Sequence, residues 1–340
     1  MKRVHGRLGG WLVIAGESYA GKYVPSLAHW ILEANRTNAL ARTRIHAKCG
    51  MAAPDPPAFG SVLGLVIGDG LTDPVKQVLT KGISALGLGL IDVQQMHEVD
   101  AMAARVVEFI HAKEWAQALR ERKKLLAFIG DACNCPLLDV SRAFDYDDDK
   151  SIEAFANRRD VQEALGVDAS YNVTFTTCSD TVAAAMERDV MQSVVDLIPD
   201  LLRTWPLLLY QGRYHSLHRH ASLPLICSSL LTYSHQPILP PCPTTKGDRD
   251  GLEGTIPAQS WVFDVPWPNA VDFRNAPRVP FALPTKLMNG TTLPVVVAHV
   301  KAGGGLTLAQ VRNAGHMGPH DAPATYQALV GGVIETWQGP

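Results

Sequence analysis

Runs of consecutive apolar residues, each ended by glycine or a polar turn, predict the strands of this chain. Residues 11–15 (WLVIA), 62–67 (VLGLVI) and 207–210 (LLLY) form three such runs. A short run that is apolar at nearly every position is typical of a strand buried on both faces of a parallel sheet. Near the end of the chain, residues 295–300 and 307–311 predict a hairpin.

Apolar residues at helical spacing lie between these strands. After the first strand, Leu27, Trp30, Ile31 and Ala34 share one face of a predicted helix. A strand, a sharp turn and a helix in succession form the unit of a parallel sheet, so the sequence predicts an α/β fold. The predicted helices cover residues 24–34, 90–126, 157–167, 182–202 and 324–337.

Composition allows a large buried core and argues against two functional classes. The 340 residues are 46% hydrophobic and 19% charged, and the formal net charge is −2. This balance lacks the basic surplus of a nucleic-acid binder. No apolar run reaches the ~18 residues that a membrane-spanning helix requires. We therefore expect a protein that neither binds nucleic acid nor spans a membrane.

The six cysteines leave the redox compartment open. They could form three disulfides in an oxidising compartment or remain as reduced thiols. Cys133 and Cys135 have no second cysteine pair at the spacing of a zinc site, so we expect no metal. No motif of the sequence indicates an organic cofactor.

A serine follows the first predicted strand in a turn of small residues. Gly16 precedes Ser18 by two positions, and Ala20 and Gly21 follow it. The Gly-x-Ser-x-Gly elbow uses small neighbours to hold a nucleophilic serine in a strained turn between strand and helix. The sequence therefore predicts Ser18 as a nucleophile, with the N–H of Tyr19 as one oxyanion donor. The alternative is a serine in an ordinary strand-to-helix turn.

The ten residues 16–25 (GESYAGKYVP) closely resemble the nucleophile signature of the serine carboxypeptidase family. Further segments resemble that family in the same order along the chain, and the closest subgroup is the vitellogenic-like carboxypeptidases. The resemblance covers most of the chain except about 215–247. The other matching segments are residues 68–74, 157–165, 208–212 and 315–323.

The resemblance implies an α/β-hydrolase with a mostly parallel central sheet and helices on both faces. One such domain would span residues 1–340, with a helical lid at about 90–180. The family order Ser…Asp…His makes Ser18 the nucleophile and His316 the base that takes its proton. The reaction would release the C-terminal residue of a peptide with a free C-terminus, through an acyl-enzyme on Ser18.

The position of the catalytic acid is irregular. The family places an aspartate three residues after the glycine that corresponds to Gly212, and this position holds His215. Residues 215–247 are rich in Ser, Pro, Leu and His, and removing them places Asp248 at the family spacing. We therefore interpret this stretch as an insert that forms a loop, and we predict Asp248 as the acid. Asp250 and a true substitution by His215 are the alternatives.

Two residues beside the serine are predicted to bind substrate. The resemblance places Glu17 in the network that recognises the terminal carboxylate of the substrate, and Tyr19 along the pocket. Binding an anion requires a protonated Glu17, and hence a raised pKa and an acidic optimum. The alternative for Glu17 is a structural residue favoured by the helix dipole.

The family carries a long segment before the serine that has no counterpart ahead of residue 11. That segment supplies early strands, the second oxyanion donor and an asparagine for the terminal carboxylate. Loss of one oxyanion donor costs about 2.7–4 kcal/mol of barrier. A catalytically impaired remnant is therefore one alternative to an active peptidase. An acyltransferase with the same triad, which transfers the acyl group to an alcohol, is another.

The resemblance further implies a secretory glycoprotein, located in a lysosome or vacuole or outside the cell. In the family, the lid carries disulfides where Cys133, Cys135 and Cys178 lie. Residues 1–10, by contrast, are basic and then glycine-rich, and lack the apolar segment of a signal peptide. Three glycosylation sequons fit the secretory placement. These sequons are at Asn35, Asn172 and Asn289.

Overall fold

A computed structural model of the chain contains a six-stranded sheet. The described residues are 11–49, 62–142, 149–168, 173–213, 253–286 and 290–338, together with 144, 146 and 170. The strands are β1 (Leu12–Glu17), β2 (Val62–Gly68), β3 (Leu207–Arg213), β4 (Arg278–Lys286), β5 (Thr292–Gly303) and β6 (Leu306–Arg312).

The order of the strands in the sheet is β1-β2-β3-β6-β5-β4. The pairs β1–β2, β2–β3 and β3–β6 are parallel, whereas β6–β5 and β5–β4 are antiparallel. The sheet is therefore mostly parallel, and the three apolar runs form β1, β2 and β3 as predicted. The predicted hairpin is confirmed as β5 and β6. Its turn uses Gly304 and Gly305 at φ +57° and +87°, where a side chain would be strained.

Helices connect the strands and cover both faces of the sheet. The helices are α1 (Ala20–Cys49), α2 (Pro74–Leu79), α3 (Lys81–Gly87), α4 (Val93–His111), α5 (Trp115–Cys133), α6 (Asp149–Ala156), α7 (Arg159–Ala164), α8 (Asp180–Met186), α9 (Ile198–Leu202), α10 (Thr255–Val262), α11 (Ala270–Asn275), α12 (Gly318–Asp321) and α13 (Pro323–Gln338), and a 3-10 turn covers Val195–Leu197.

Side chains of the central strands alternate between two apolar clusters. In β3, Leu207 and Leu209 belong to the cluster that includes buried residues of α1, α9, α10 and α11. Leu208 and Tyr210 belong to the cluster that includes buried residues of α13. Successive side chains of a strand point to opposite faces, so both faces of this sheet are buried.

The long helical stretch predicted at 90–126 consists of two helices. Asp92 caps α4 because its carboxylate accepts from the N–H of Gln95 at 2.8 Å, and the Gln95 side chain accepts from the N–H of Asp92. A turn with Lys113 at φ +60° separates α4 from α5. Apolar residues of α2 to α5 form a third cluster. No helix in the described part of the chain is long and apolar enough to cross a bilayer.

The described residues fall into two compact units. The first unit contains those up to residue 144, those of 187–213 and those from 253 onward, and therefore includes the whole sheet. The second contains those between 146 and 186. The predicted lid at 90–180 is divided between them, since α4 and α5 belong to the first unit and α6 to α8 to the second. The boundaries of the lid therefore stay a prediction.

Two predicted helices differ from the structure. The stretch 157–167 contains only the short helix α7, and the stretch 182–202 is divided into α8, the 3-10 turn and α9. Between α8 and α9 the chain turns toward Lys22, whose Nζ donates to the carbonyl oxygens of Asp189 and Gln192. A side chain of α1 thus takes carbonyls that a continuous helix would use for itself.

Candidate active site

Ser18 occupies a strained turn between β1 and α1. Its φ is +61°, in the left-handed region, which costs a residue with a side chain roughly 1–2 kcal/mol. The Ser18 N–H donates to the Gly68 carbonyl at 2.8 Å, and the Ser18 carbonyl accepts from the N–H groups of Gly21 at 2.9 Å and Leu71 at 3.1 Å. Backbone hydrogen bonds on both sides of Ser18 therefore hold it in this conformation.

Small neighbours allow the turn to be this tight. A Cβ on Gly16 would lie 2.4 Å from the Cβ of Ala20, and a Cβ on Gly21 would lie 2.5 Å from the backbone nitrogen of Leu71. Neither position has room for a side chain. Ala20 fits in place of the usual glycine because Gly16 has no side chain to meet it.

His316 lies in the loop between β6 and α12 and is 6% exposed. The backbone N–H of His316 donates to the Leu138 carbonyl at 2.8 Å, and the backbone N–H of Gly315 donates to Asp321 Oδ2 at 2.8 Å. Burial lowers the pKa of His316 to about 4, although the Glu253 carboxylate acts in the opposite direction. Above that pH the imidazole is neutral, which is the state required of a general base.

Ser18 and His316 lie at the same edge of the sheet. They follow β1 and β6, and the carboxyl ends of parallel strands are the usual position of sites in α/β sheets. Between them, Asp69 Oδ1 accepts from the Gly212 N–H at 2.9 Å, and a Cβ on Gly212 would lie 2.0 Å from the Gly315 carbonyl oxygen. Within the described part of the chain, no hydrogen bond joins the Ser18 hydroxyl to the imidazole. The structure thus brings both residues to one edge without a direct bond.

Glu17 is the last residue of β1 and is half-buried. Tyr210 Oη donates to Glu17 Oε2 at 3.1 Å. Burial raises the pKa of Glu17 to about 7, the Tyr210 hydrogen bond acts in the opposite direction, and the nearby Asp321 carboxylate raises it further. Glu17 therefore keeps its proton in mildly acidic solution and can then donate a hydrogen bond to an anion.

Contacts at the start of α1 fix the side chain of Tyr19. Its hydroxyl donates to Asp189 Oδ2, and Lys22 Nζ lies 5.8 Å from the centre of its ring. Lys22 is 3% exposed, and its ammonium also lies 3.6 Å from Asp189 Oδ2. Burial lowers the pKa of Lys22 to about 8, while Asp189 acts in the opposite direction. The residue that follows Ser18 is thus held in one position.

The sequence did not reveal the buried charged residues behind Ser18 and His316. Glu253 Oε1 accepts from Lys81 Nζ at 2.8 Å and from Arg122 Nη2 at 3.2 Å. The carboxyl of Asp69 is also buried, and desolvation raises its pKa well above the ordinary value. Lys81, Arg122 and Glu253 belong to no local motif. Asp69 lies in the matching segment 68–74, but its burial is not evident from the sequence because charged residues are usually at the surface. No signal in one sequence could have found them.

A family model described as serine carboxypeptidase matches residues 9–222 and 244–336. The chain belongs to the serine carboxypeptidase family. This confirms the resemblance carried by residues 16–25. The unmatched residues 223–243 lie inside the stretch 215–247 that was predicted as an insert.

Curated relatives in the serine carboxypeptidase family align with nearly all of the chain. Serine carboxypeptidase-like 50 of Arabidopsis thaliana is 27% identical over 94% of this chain and 57% of its own length. The venom serine carboxypeptidase of Apis mellifera is 29% identical over 91% of this chain and 54% of its own length. The chain therefore spans about half the length of the curated relatives it matches.

A solved structure of a carboxypeptidase has the same fold. The prohormone-processing carboxypeptidase of Saccharomyces cerevisiae matches with a TM-score of 0.63 and 17% identity, over 96% of this chain and 61% of that chain. The likeness confirms the predicted α/β-hydrolase fold.

The predicted catalytic acid lies outside the described residues. His215, Asp248 and Asp250 all fall within 214–252, and so does the predicted insert. The family model covers all three positions, His215 in its first matched segment and the two aspartates in its second. The assignment of the acid therefore stays a prediction.

One group of described residues has the spacing of metal ligands. Ligand atoms of His29, Glu33 and Asp200 all lie within 4.8 Å of one another. The Arg36 guanidinium donates to Glu33 at 2.7 Å and to the two oxygens of Asp200 at 3.0 and 3.1 Å. Because a cation already bridges the two carboxylates, we interpret the group as an ion-pair cluster between α1 and α9.

One disulfide is present among the described residues. Cys133 and Cys135 are bonded to each other, and Cys178 is an exposed free thiol. Of the three sequons, the one at Asn35 lies at an exposed position of α1. Its counterparts at Asn172 and Asn289 lie outside the described residues.

Proposed function

We propose that this serine carboxypeptidase releases the C-terminal residue of a peptide through an acyl-enzyme on Ser18. The observation that carries the proposal is the strained conformation of Ser18, at φ +61° on the carboxyl edge of a parallel sheet where His316 also lies. A nucleophile elbow has this conformation because it exposes the hydroxyl above the sheet. The names of the relatives support the same reaction class.

In the proposed acylation step, the Ser18 oxygen attacks the carbonyl carbon of the last peptide bond, and His316 takes the hydroxyl proton. The C–N bond then breaks, and the imidazolium gives the proton to the leaving amine. In the second step a water attacks the ester carbonyl and gives a proton to His316. The ester C–O bond then breaks, the imidazolium returns the proton to the Ser18 oxygen, and the shortened peptide is released. The N–H of Tyr19, at the start of α1, stabilises the oxyanion in both steps.

Glu17 is our proposed residue for recognising the terminal carboxylate of the substrate. With its pKa raised to about 7, Glu17 is protonated in mildly acidic solution and can donate to that carboxylate. It directly precedes Ser18, at the same edge of the sheet. Tyr19 lines the pocket, in the position fixed by Asp189.

Asp248 is our proposed acid, with Asp250 as the first alternative and His215 as the second. A carboxylate would accept the second N–H of the His316 imidazole and stabilise the imidazolium. Replacing the true acid by asparagine should lower kcat by about 10⁴-fold. Asp248→Asn should therefore abolish most activity, while Asp250→Asn should leave most of it. The reverse result would assign the acid to Asp250, and two mild effects would favour His215.

We further propose that the protein is a secretory glycoprotein of the lysosome, the vacuole or the extracellular space. The disulfide between Cys133 and Cys135 supports an oxidising compartment. The exposed sequon at Asn35 supports glycosylation. A shift in mass after endoglycosidase treatment, made smaller by Asn35→Gln, would test this assignment.

A fluorophosphonate probe tests the nucleophile directly. We expect the probe to label the peptide that contains Ser18, with no labelling of the Ser18→Ala variant. Ser26→Ala is the matched control because Ser26 is an exposed serine on α1, the helix that follows Ser18. Its labelling should equal that of the unchanged protein.

The substrate class is tested with a blocked dipeptide and its C-terminal amide. A carboxypeptidase should hydrolyse the free acid and leave the amide. Transfer of the acyl group to an added alcohol, without hydrolysis, would support the acyltransferase instead. Absence of both labelling and turnover would identify a catalytically impaired remnant and refute the proposal.

A further inference from the structure

Glu253 is the centre of a buried ion cluster that the proposed mechanism does not use. Its Oε1 accepts from Lys81 Nζ at 2.8 Å and from Arg122 Nη2 at 3.2 Å, and its Oε2 accepts from Gln77 Nε2. All four side chains are at most 1% exposed. Buried charges are costly unless they are paired and hydrogen-bonded. The cluster therefore fixes the relative positions of α2, α3, α5 and the segment before α10.

Gln77 connects this cluster to the nucleophile turn. Its side chain makes three hydrogen bonds of 2.8–2.9 Å to the backbone of the loop 70–73. The same loop holds the Ser18 carbonyl through the N–H of Leu71 at 3.1 Å. A displacement of Glu253 would therefore be transmitted to Ser18 through the Gln77 side chain and the loop 70–73.

Glu253 also directly precedes a residue that packs against the end of β3, which in turn packs against the histidine loop. A Cβ on the next residue, Gly254, would lie 3.3 Å from the Gly212 carbonyl oxygen, and a Cβ on Gly212 would lie 2.0 Å from the Gly315 carbonyl oxygen. Gly254, Gly212 and Gly315 thus allow three backbone segments to pack closely between Glu253 and His316. The negative charge of Glu253 raises the pKa of His316, against the effect of burial.

We propose that Glu253 is a positioning residue for both members of the catalytic pair. Its carboxylate, clamped by Lys81 and Arg122, sets the electrostatic potential at the His316 imidazole, and its bond to Gln77 steadies the loop behind Ser18. The catalytic consequence rests on the proposed function. The electrostatic coupling between Glu253 and His316 stands without it.

The charged groups around His316 act in both directions. Lys81 on α3 and Arg122 on α5 lower its pKa, and Glu253 raises it. Because Lys81 and Glu253 act with opposite signs, removing them one at a time should move the titration of His316 in opposite directions. Among the described residues, Asp69, Asp139 and Asp321 also pack against the histidine loop or against Gly212.

The test is the titration of His316 by NMR in the full chain with ¹³C-labelled histidine. The signal is assigned by its loss in His316→Asn. Lys81→Met removes a cation and should raise the pKa of His316 by about half a unit or more, and Glu253→Gln should lower it by a similar amount. Lys76→Met is the matched control. Lys76 is 46% exposed on the neighbouring helix α2 and pairs with Asp264, so its loss should not move the titration.

Opposite shifts in the two variants, with the control unchanged, would support the proposal. Shifts in one direction, or an unchanged titration in Lys81→Met, would overturn it. Lys81→Met keeps Glu253 paired with Arg122, so even where Glu253→Gln fails to fold, an unchanged titration in this variant would show that the charges of the cluster do not reach His316 and would overturn the proposal. A chain that titrates as expected but cleaves no peptide would refute the proposed function alone. The role of Glu253 alone would be refuted if the protein cleaves peptide but Lys81→Met changes neither the pKa of His316 nor the acid limb of kcat/KM.

Discussion

Tyr210 donates a hydrogen bond of 3.1 Å to the carboxyl group of Glu17, the residue directly before the proposed nucleophile. Burial raises the pKa of Glu17 to about 7, and this hydrogen bond limits the rise. Burial, together with the charge of Glu17, raises the pKa of Tyr210 above its usual value, so Tyr210 stays a donor. The pair can therefore hold a carboxyl group that titrates close to neutral pH.

The pH profile of kcat/KM should be bell-shaped. It should rise through about pH 4 as His316 loses its proton, and fall through about pH 7 as Glu17 ionises and repels the substrate carboxylate. Glu17→Gln cannot ionise, so this variant should lose the alkaline fall and keep the acidic rise. Tyr210→Phe removes the hydrogen bond that stabilises the ionised form of Glu17. Its loss should raise the pKa of Glu17 and move the alkaline fall to higher pH. An alkaline fall that persists in Glu17→Gln would assign it to another group.

Tyr19 and Asp189 should act as one unit in catalysis. The Tyr19 hydroxyl donates to Asp189, which fixes the residue whose N–H is the proposed oxyanion donor. Tyr19→Phe and Asp189→Ala should each lower kcat several-fold, and the double variant should lower it no further than the stronger single one. Such non-additivity is typical of contacting residues, with coupling of about 0.5–3 kcal/mol.

The control for this cycle is Tyr23→Phe. The ring of Tyr23 packs edge-on against Tyr19 at 4.9 Å between centres, but Tyr23 is 54% exposed. Loss of its hydroxyl should leave kcat unchanged. Additive effects of Tyr19→Phe and Asp189→Ala would mean that the hydrogen bond does not position the donor.

The fold was predictable where the signal is continuous along the chain. β1, β2 and β3 are central strands buried on both faces, so they appear as short apolar runs. β4 was not predicted because its nine residues include Pro280 and Pro284, and proline cannot donate to a strand ladder. β4 can contain them because it lies at the edge of the sheet, with β5 as its neighbour on one side.

The candidate site was predictable only in its local parts. Ser18 and His316 lie in short motifs whose neighbours are consecutive residues, and both reach the same edge of the sheet. The partners of Glu253, in contrast, lie 172 and 131 residues away in Lys81 and Arg122. Only folding brings those charges together. Likewise, the predicted helix at 182–202 failed because Lys22, distant in sequence, bonds the carbonyls at its middle.

A side chain at Gly212 should displace the histidine loop. A Cβ there would lie 2.0 Å from the Gly315 carbonyl oxygen and 2.9 Å from that of Ala314, and both contacts are to backbone. Gly212→Ala should therefore lower the melting temperature and reduce kcat/KM by about 100-fold, since a displacement of about 1 Å has an effect of that size.

The matched control is Gly331→Ala, because a Cβ on Gly331 in α13 meets nothing within 4 Å. This change should be neutral or stabilise the protein by up to about 1 kcal/mol, since alanine favours a helix over glycine. Full activity in Gly212→Ala would show that the histidine loop does not depend on this close approach.

The strained backbone conformation of Ser18 should lower the stability of the folded protein by a measurable amount. Ser18→Gly and Ser18→Ala both remove the nucleophile, so neither should react with the fluorophosphonate probe. At φ +61°, however, glycine avoids a strain of roughly 1–2 kcal/mol that alanine keeps. The greater freedom of glycine in the unfolded chain offsets about 0.4–1 kcal/mol of this gain. Ser18→Gly should therefore melt at the same temperature as Ser18→Ala or up to about 2 °C above it by calorimetry. A melting temperature of Ser18→Gly below that of Ser18→Ala would mean that the turn is not strained, and the principal support for an elbow at Ser18 would be lost.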